Sequence, residues 1–193
     1  MKTLQEVMFK NRYQLREHTG LLKTQHNYDI YDFETNTLAF ECREEMPTSL
    51  NTALQLTRFS LSIPFHIHIT ASSGQKITSV RRHPDFFHNN ISVLDADGEM
   101  LWIIHENNPP NYWLEISDNF GEKMGKVVAK GANYTLFIDD QMVSQVSKTD
   151  TKRELFDFSG CYTLGLATDL GQESPLSLLT FAVALCADLL QYD

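Results

Sequence analysis

The chain has 193 residues, 42% hydrophobic and 21% charged, close to the averages of soluble globular domains. That is one domain's worth of chain, with enough apolar content for a substantial core. A formal net charge of -9 and a pI near 5.2 exclude general nucleic-acid binding, which relies on Lys and Arg to neutralise phosphates, and a strong unspecific pull toward anionic lipid.

Met1 to Lys10 carries Lys2, Glu6 and Lys10 and no apolar run, so no secretory leader is expected. Three cysteines, Cys42, Cys161 and Cys186, are odd in number, widely spaced and set among apolar residues. They fit reduced core thiols of a cytoplasmic protein, with neither a disulfide framework nor a metal-binding CxxC pair.

From Tyr13 onward, apolar and polar residues alternate in short runs punctuated by turn residues, the pattern of antiparallel sheet. Tyr13, Leu15 and Glu17 precede Thr19-Gly20; Tyr28, Ile30 and Asp32 lead through Glu34-Thr35-Asn36 to Leu38, Phe40 and Cys42. Phe65, Ile67 and Ile69 alternate with His66, His68 and Thr70 before Ser73-Gly74, and Ile77 to Arg82 forms the next strand. Ile91, Val93 and Asp95 meet Met100, Trp102 and Ile104 across Asp97-Gly98, a dipeptide favoured in tight hairpins. Asn107-Asn108-Pro109-Pro110 is the best internal break, between two similar halves of one sheet.

Tyr112, Leu114 and Ile116 open the second half, followed by a turn at Asp118 to Gly121 and a strand from Lys123 to Ala129. Tyr134 to Ile138 turns at Asp139-Asp140 into Met142 to Val146; the charged stretch Lys148 to Glu154 precedes a last strand, Tyr162 to Ala167. About twelve strands result. A sheet of that size curls or splits rather than staying open.

The chain ends in a helix that is apolar nearly all round, predicted over 174–192. Ser174 is a good N-cap and Pro175 suits the first helical position. Only Ser177, Thr180 and Asp188 interrupt the run to Leu190, and a helix without a polar face needs an apolar sleeve of lipid or protein. At 1.5 Å per residue it spans roughly 24 Å, short of the ~30 Å hydrocarbon core of a bilayer, and no Lys or Arg flanks it. Asp188 is expected to reach water at the open end of a protein sleeve. A barrel of about twelve strands leaves a lumen that such a helix fills. The predicted fold is thus mainly β (α+β): a single domain, residues 1–193, forming a closed antiparallel barrel of about twelve strands around a hydrophobic C-terminal helix.

The order of elements and local wording resemble the tubby C-terminal-like superfamily, and within it the phospholipid scramblase and LURP-one-related branch. The matching segments are Pro64 to Ile69 followed by Ser73-Gly74, Ile77 to Arg82 ahead of Pro84, and Ile91-Ser92-Val93 with Asp95 to Gly98. Gly121 to Val127, Tyr162 to Leu166 and the terminal helix ending Ala187-Asp188-Leu189-Leu190 complete the set. The resemblance implies a twelve-stranded barrel enclosing the helix, with phosphoinositide binding, calcium-stimulated lipid movement and plant defence among its members' roles and no shared catalytic set. The chain departs from the scramblases in lacking a Pro-rich N-terminal region and a Cys cluster suited to palmitoylation. Asp157 to Gly160 is also poor in the acidic residues of a calcium loop.

Two groups of residues are candidate sites. Arg81, Arg82, Lys126 and Lys130 are either solubilising charge facing outward or a site for an anionic head group. His66 and His68 share one strand face at a spacing that suits a zinc ion, but no third ligand follows at an expected interval. If Phe65, Ile67 and Ile69 face the core, both histidines face water. Asp95-Ala96-Asp97-Gly98-Glu99, with Glu106 at position twelve, resembles a calcium loop, but the following segment is strand and the simpler reading is a hairpin turn. No Gly-x-Ser-x-Gly elbow, activated cysteine or phosphate-cradling glycine loop is present.

The expected function is a non-enzymatic binding module without a cofactor, recognising a phosphoinositide, another anionic lipid head group or a protein partner. It would be cytoplasmic, with peripheral membrane contact open to it. The alternatives are a membrane-associated, scramblase-like protein and a metal-dependent enzyme using His66 and His68.

Overall fold

Alternating side chains shape the computed structural model, which describes residues 11–18, 26–45, 64–82, 90–106, 113–149, 161–167 and 175–189. Among these residues lie twelve strands: β1 (Arg12–Glu17), β2 (Tyr28–Asp32), β3 (Leu38–Glu44), β4 (Phe65–Ala71), β5 (Lys76–Arg82) and β6 (Asn90–Asp95), then β7 (Met100–Glu106), β8 (Trp113–Asp118), β9 (Lys123–Lys130), β10 (Asn133–Ile138), β11 (Gln141–Lys148) and β12 (Cys161–Leu166). In β4 every second residue, Phe65, Ile67, Ile69 and Ala71, is buried. Thr19-Gly20, Pro84, Asn107 to Pro110 and Asp157 to Gly160, singled out in the sequence, lie outside the described residues, as do Ser174 and Leu190 at the helix ends.

Every strand pairs antiparallel with its chain neighbours, and β1 pairs with β12 through Tyr13↔Leu164 and Leu15↔Tyr162. That last pairing closes the barrel, which removes the free edges that invite unwanted strand pairing. Five hairpins, β2–β3, β4–β5, β6–β7, β8–β9 and β10–β11, carry a register shift next to their turns. Such bulges increase local twist and bend the strands around the barrel.

The Asp97-Gly98 turn forms as expected, with Gly98 at φ 93, a conformation that only glycine adopts freely. Asp95 Oδ1 accepts the backbone N–H groups of Asp97 and Glu99, each at 2.9 Å. Asp118 repeats the device for Phe120 and Glu122, at 2.9 and 2.8 Å. The segment with calcium-loop wording is a hairpin, its first carboxylate engaged by its own turn.

The helix α1 (Leu176–Leu189) runs through the lumen. Of its 14 residues, Leu179 and Phe181 to Ala187 are buried apolar residues, each at most 2% exposed. Phe181 meets the Tyr13 ring edge-on at 5.2 Å and the Phe40 ring at 5.0 Å. Thr180 donates to Ser144 Oγ on β11 at 3.0 Å, tying helix to wall. At 1.5 Å per residue α1 is roughly 21 Å long, and among the described residues no helix is long and apolar enough to cross a membrane.

The environment of Asp188 corrects one expectation. Rather than reaching water, it is 1% exposed and accepts hydrogen bonds from Tyr28 Oη at 2.9 Å and Tyr162 Oη at 2.6 Å. Two phenols projecting inward from β2 and β12 thus engage both of its oxygens. The three cysteines are free and buried; burial raises the Cys42 thiol and pushes Cys186 up to about 12, which keeps both unreactive.

Candidate functional site

With the lumen filled by α1, chemistry is left to the outer wall and the rims. On the wall, the β3–β4 register sets Arg43 opposite His68 and Glu44 opposite Ile67, and the Glu45 N–H donates to the His66 carbonyl at 2.8 Å. Because Phe65, Ile67 and Ile69 turn inward, His66 and His68 turn outward, toward Glu45. Glu45 Oε2 lies 2.9 Å from His66 Nδ1, and Oε1 lies 2.8 Å from His68 Nε2. The imidazoles stand 4.2 Å apart between centroids.

Side-chain exposure is 21% for His66, 25% for His68 and 59% for Glu45, so the carboxylate lids two sheltered rings. Hydrogen bonding from His68, then from His66, holds the Glu45 carboxyl below its ordinary range despite partial burial. Burial lowers His66, against the opposing pull of the Glu45 hydrogen bond. His66 Nε2 and His68 Nδ1 are shut off from solvent without a hydrogen-bond partner, as is Ser79 Oγ on β5, the residue opposite His68. Among the described residues, Glu45, His66 and His68 are the one group of His, Cys, Asp or Glu residues whose ligand atoms converge, all within 4.8 Å of one another.

The four cations singled out in the sequence do not share a surface. Arg81 is exposed on the outer wall, opposite His66 and Ser92. Arg82, the next residue, faces inward at 5% exposure, with its guanidinium 2.6 Å from Glu106 Oε2. The reading of outward-facing charge therefore fails for Arg82, because alternation sends adjacent strand residues to opposite faces. Lys126 and Lys130 do share the outer face of β9, with Lys126 3.2 Å from Asp140 and Lys130 exposed near the turn. Three strands separate β5 from β9, so Arg81 and the two lysines sit on different sectors of the wall.

Of the other histidines, His105 has Nδ1 2.8 Å from Asn90 Oδ1 and Nε2 3.1 Å from Ser117 Oγ, which commits both nitrogens to the wall. His83 and His88 lie outside the described residues.

The chain aligns with the X-ray structure of a protein from Arabidopsis thaliana over 97% of this chain and 96% of that one. The TM-score is 0.58 and the sequence identity 9%. The fold is tubby-like. At that identity the likeness carries the architecture alone. No family model and no curated protein matches the sequence.

Within this tubby-like barrel, sequence reasoning missed Glu45. It lies 21 residues before His66 and becomes its neighbour only through the antiparallel register of β3 and β4. The alternating patterns of β3 and β4 were the available signal, but β4 begins only at Phe65, after β3 ends at Glu44, and the register that selects Glu45 is not written in either strand alone.

Proposed function

We propose that this chain is a non-enzymatic binding module that works through the outer wall and rims of its tubby-like barrel. The observation that carries the reading is the filled lumen: α1 takes the space that a wider barrel offers to a ligand, leaving recognition to the outside. Its ligand is an anionic lipid head group, such as a phosphoinositide, or a protein partner. Arg81 and Lys130 are exposed cations that form no ion pair with a described residue, which favours contact with an anion. The net charge of -9 favours a small local site over broad electrostatic adhesion.

The proposal puts the module in the cytoplasm, peripheral to membranes where it meets lipid; three free thiols fit that compartment. The scramblase-like alternative rests on the terminal helix and the family likeness; the place of α1 in the core supports the binding-module reading instead.

Flotation of the purified, detergent-free protein with neutral, anionic and phosphoinositide-containing vesicles, with and without calcium, tests the lipid arm. Co-flotation with the phosphoinositide vesicles is the expected result, lost in Arg81→Glu where the head group sits on β5 or in Lys130→Glu where it sits on β9, since the two cations lie on different sectors. Retention of a defined partner from cell extract would move the ligand to the protein class. Failure of both at physiological salt would overturn the reading.

A further inference from the structure

We propose that Glu45, His66 and His68 form a binding site for one zinc-type divalent ion on the outer wall of the barrel. Two imidazoles and a carboxylate are a donor set that zinc takes, with the fourth position left to water. The sequence alone supplies two donors; the β3–β4 register supplies the third.

Rigidity favours the site. His66 and His68 are alternate residues of one strand in a closed barrel, and the Glu45 backbone is fixed by its hydrogen bond to His66. The three donors already converge without an ion, so ordering them costs little chain entropy. Tetrahedral zinc, with bonds of about 2.1 Å, holds its ligand atoms about 3.4 Å apart. The present contacts of 2.9 and 2.8 Å run to the two different oxygens of Glu45, and with all donor atoms within 4.8 Å of one another, side-chain rotation brings one oxygen and both ring nitrogens to that spacing.

Proton balance allows it. Each ring that donates to Glu45 carries its proton on the nitrogen facing the carboxylate, leaving the far nitrogen, His66 Nε2 or His68 Nδ1, bare and unpartnered. When the ion takes the near nitrogens, each neutral ring carries its proton on the far one instead. Ser79, opposite His68, likewise carries a buried hydroxyl without a partner. Nearby cations oppose the ion unequally: Arg43 is paired with Asp29 at 2.7 Å and Glu41 at 3.5 Å, whereas Arg81 stands opposite His66. Arg81 therefore holds the affinity below that of a closed structural zinc site.

The test uses tag-free, chelator-treated protein titrated with Co²⁺ as a visible-spectrum probe, then with Zn²⁺ in competition. One ion per chain is expected, with ligand-field bands that Zn²⁺ abolishes and a Zn²⁺-dependent rise in Tm. The double variant His66→Gln/His68→Gln should lose both signals, and Glu45→Gln should weaken binding at least tenfold. Glu45 is the most exposed of the three, so its variant keeps the test open if the double variant fails to fold. Absence of stoichiometric Co²⁺ or Zn²⁺ uptake, or unchanged affinity in folded variants, would overturn the proposal.

Discussion

The Tyr162 hydroxyl donates to Asp188 Oδ1 across 2.6 Å, joining the last strand to the last turn of the helix it encloses. Tyr28 donates to the other oxygen, so a carboxylate that is 1% exposed has both oxygens engaged. Removing the acceptor takes this hydrogen bond from two buried phenols, a loss of about 1–3 kcal/mol for each. Asp188→Ala should therefore lower unfolding stability by about 3 kcal/mol in urea titrations. In a double-mutant cycle, Tyr28→Phe with Asp188→Ala should be less destabilising than the sum of the two single changes.

The same pair shapes the alkaline limb of stability. Burial, reinforced by the charge of Asp188, raises Tyr28 well above its ordinary value of 10.0. With its folded value raised, Tyr28 contributes its full stability below pH 10. Above that, the unfolded chain releases the proton first and the contribution is lost until the folded value is reached. Urea midpoints measured from pH 8 to pH 11 should be flat, then fall, and Tyr28→Phe should fall less steeply. A parallel descent of the two proteins would remove Tyr28 from the account.

Leu185, 0% exposed in the middle of α1, distinguishes a core helix from an appendage. Leu185→Ala should cost about 2–5 kcal/mol. Leu185→Asp buries an unpaired charge and should abolish cooperative folding, judged by loss of the near-ultraviolet dichroism of the packed aromatic residues. A variant that keeps the wild-type Tm would place the helix outside the barrel.

Much of this architecture was legible because two periods are written plainly into the chain. Phe65, Ile67 and Ile69 alternate as half-buried strands do, and Leu179 to Ala187 lacks a polar face, which demands a sleeve. What stayed hidden depends on distant pairing. Asp188 meets Tyr28 across 160 residues, and Glu45 meets His66 across 21. Arg81 and Arg82 are alike in sequence, yet the pleat sends one to solvent and the other to Glu106. Register decides each of these, and a strand does not state its partner's register.

Gly125 marks a close approach that composition hides. A Cβ there would collide with the Phe137 carbonyl of β10 and with Ile138 Cδ1. Since one of these is backbone, relief requires the β9–β10 pairing to shift. Gly125→Ala should destabilise by about 1–3 kcal/mol or more, the range of overpacked cores. Gly165, whose nearest such neighbour is Gln145 O at 3.9 Å, should accept alanine with a smaller loss.

The central claim is that the chain binds its ligand from outside while its helix stays within. Hydrogen–deuterium exchange of amides 179–187, followed with and without phosphoinositide vesicles, tests it most directly. The account predicts that these amides exchange only through global unfolding in both conditions, with any new protection confined to the outer wall and rims. Rapid exchange in α1 without vesicles, or its deprotection on adding them, would contradict the account.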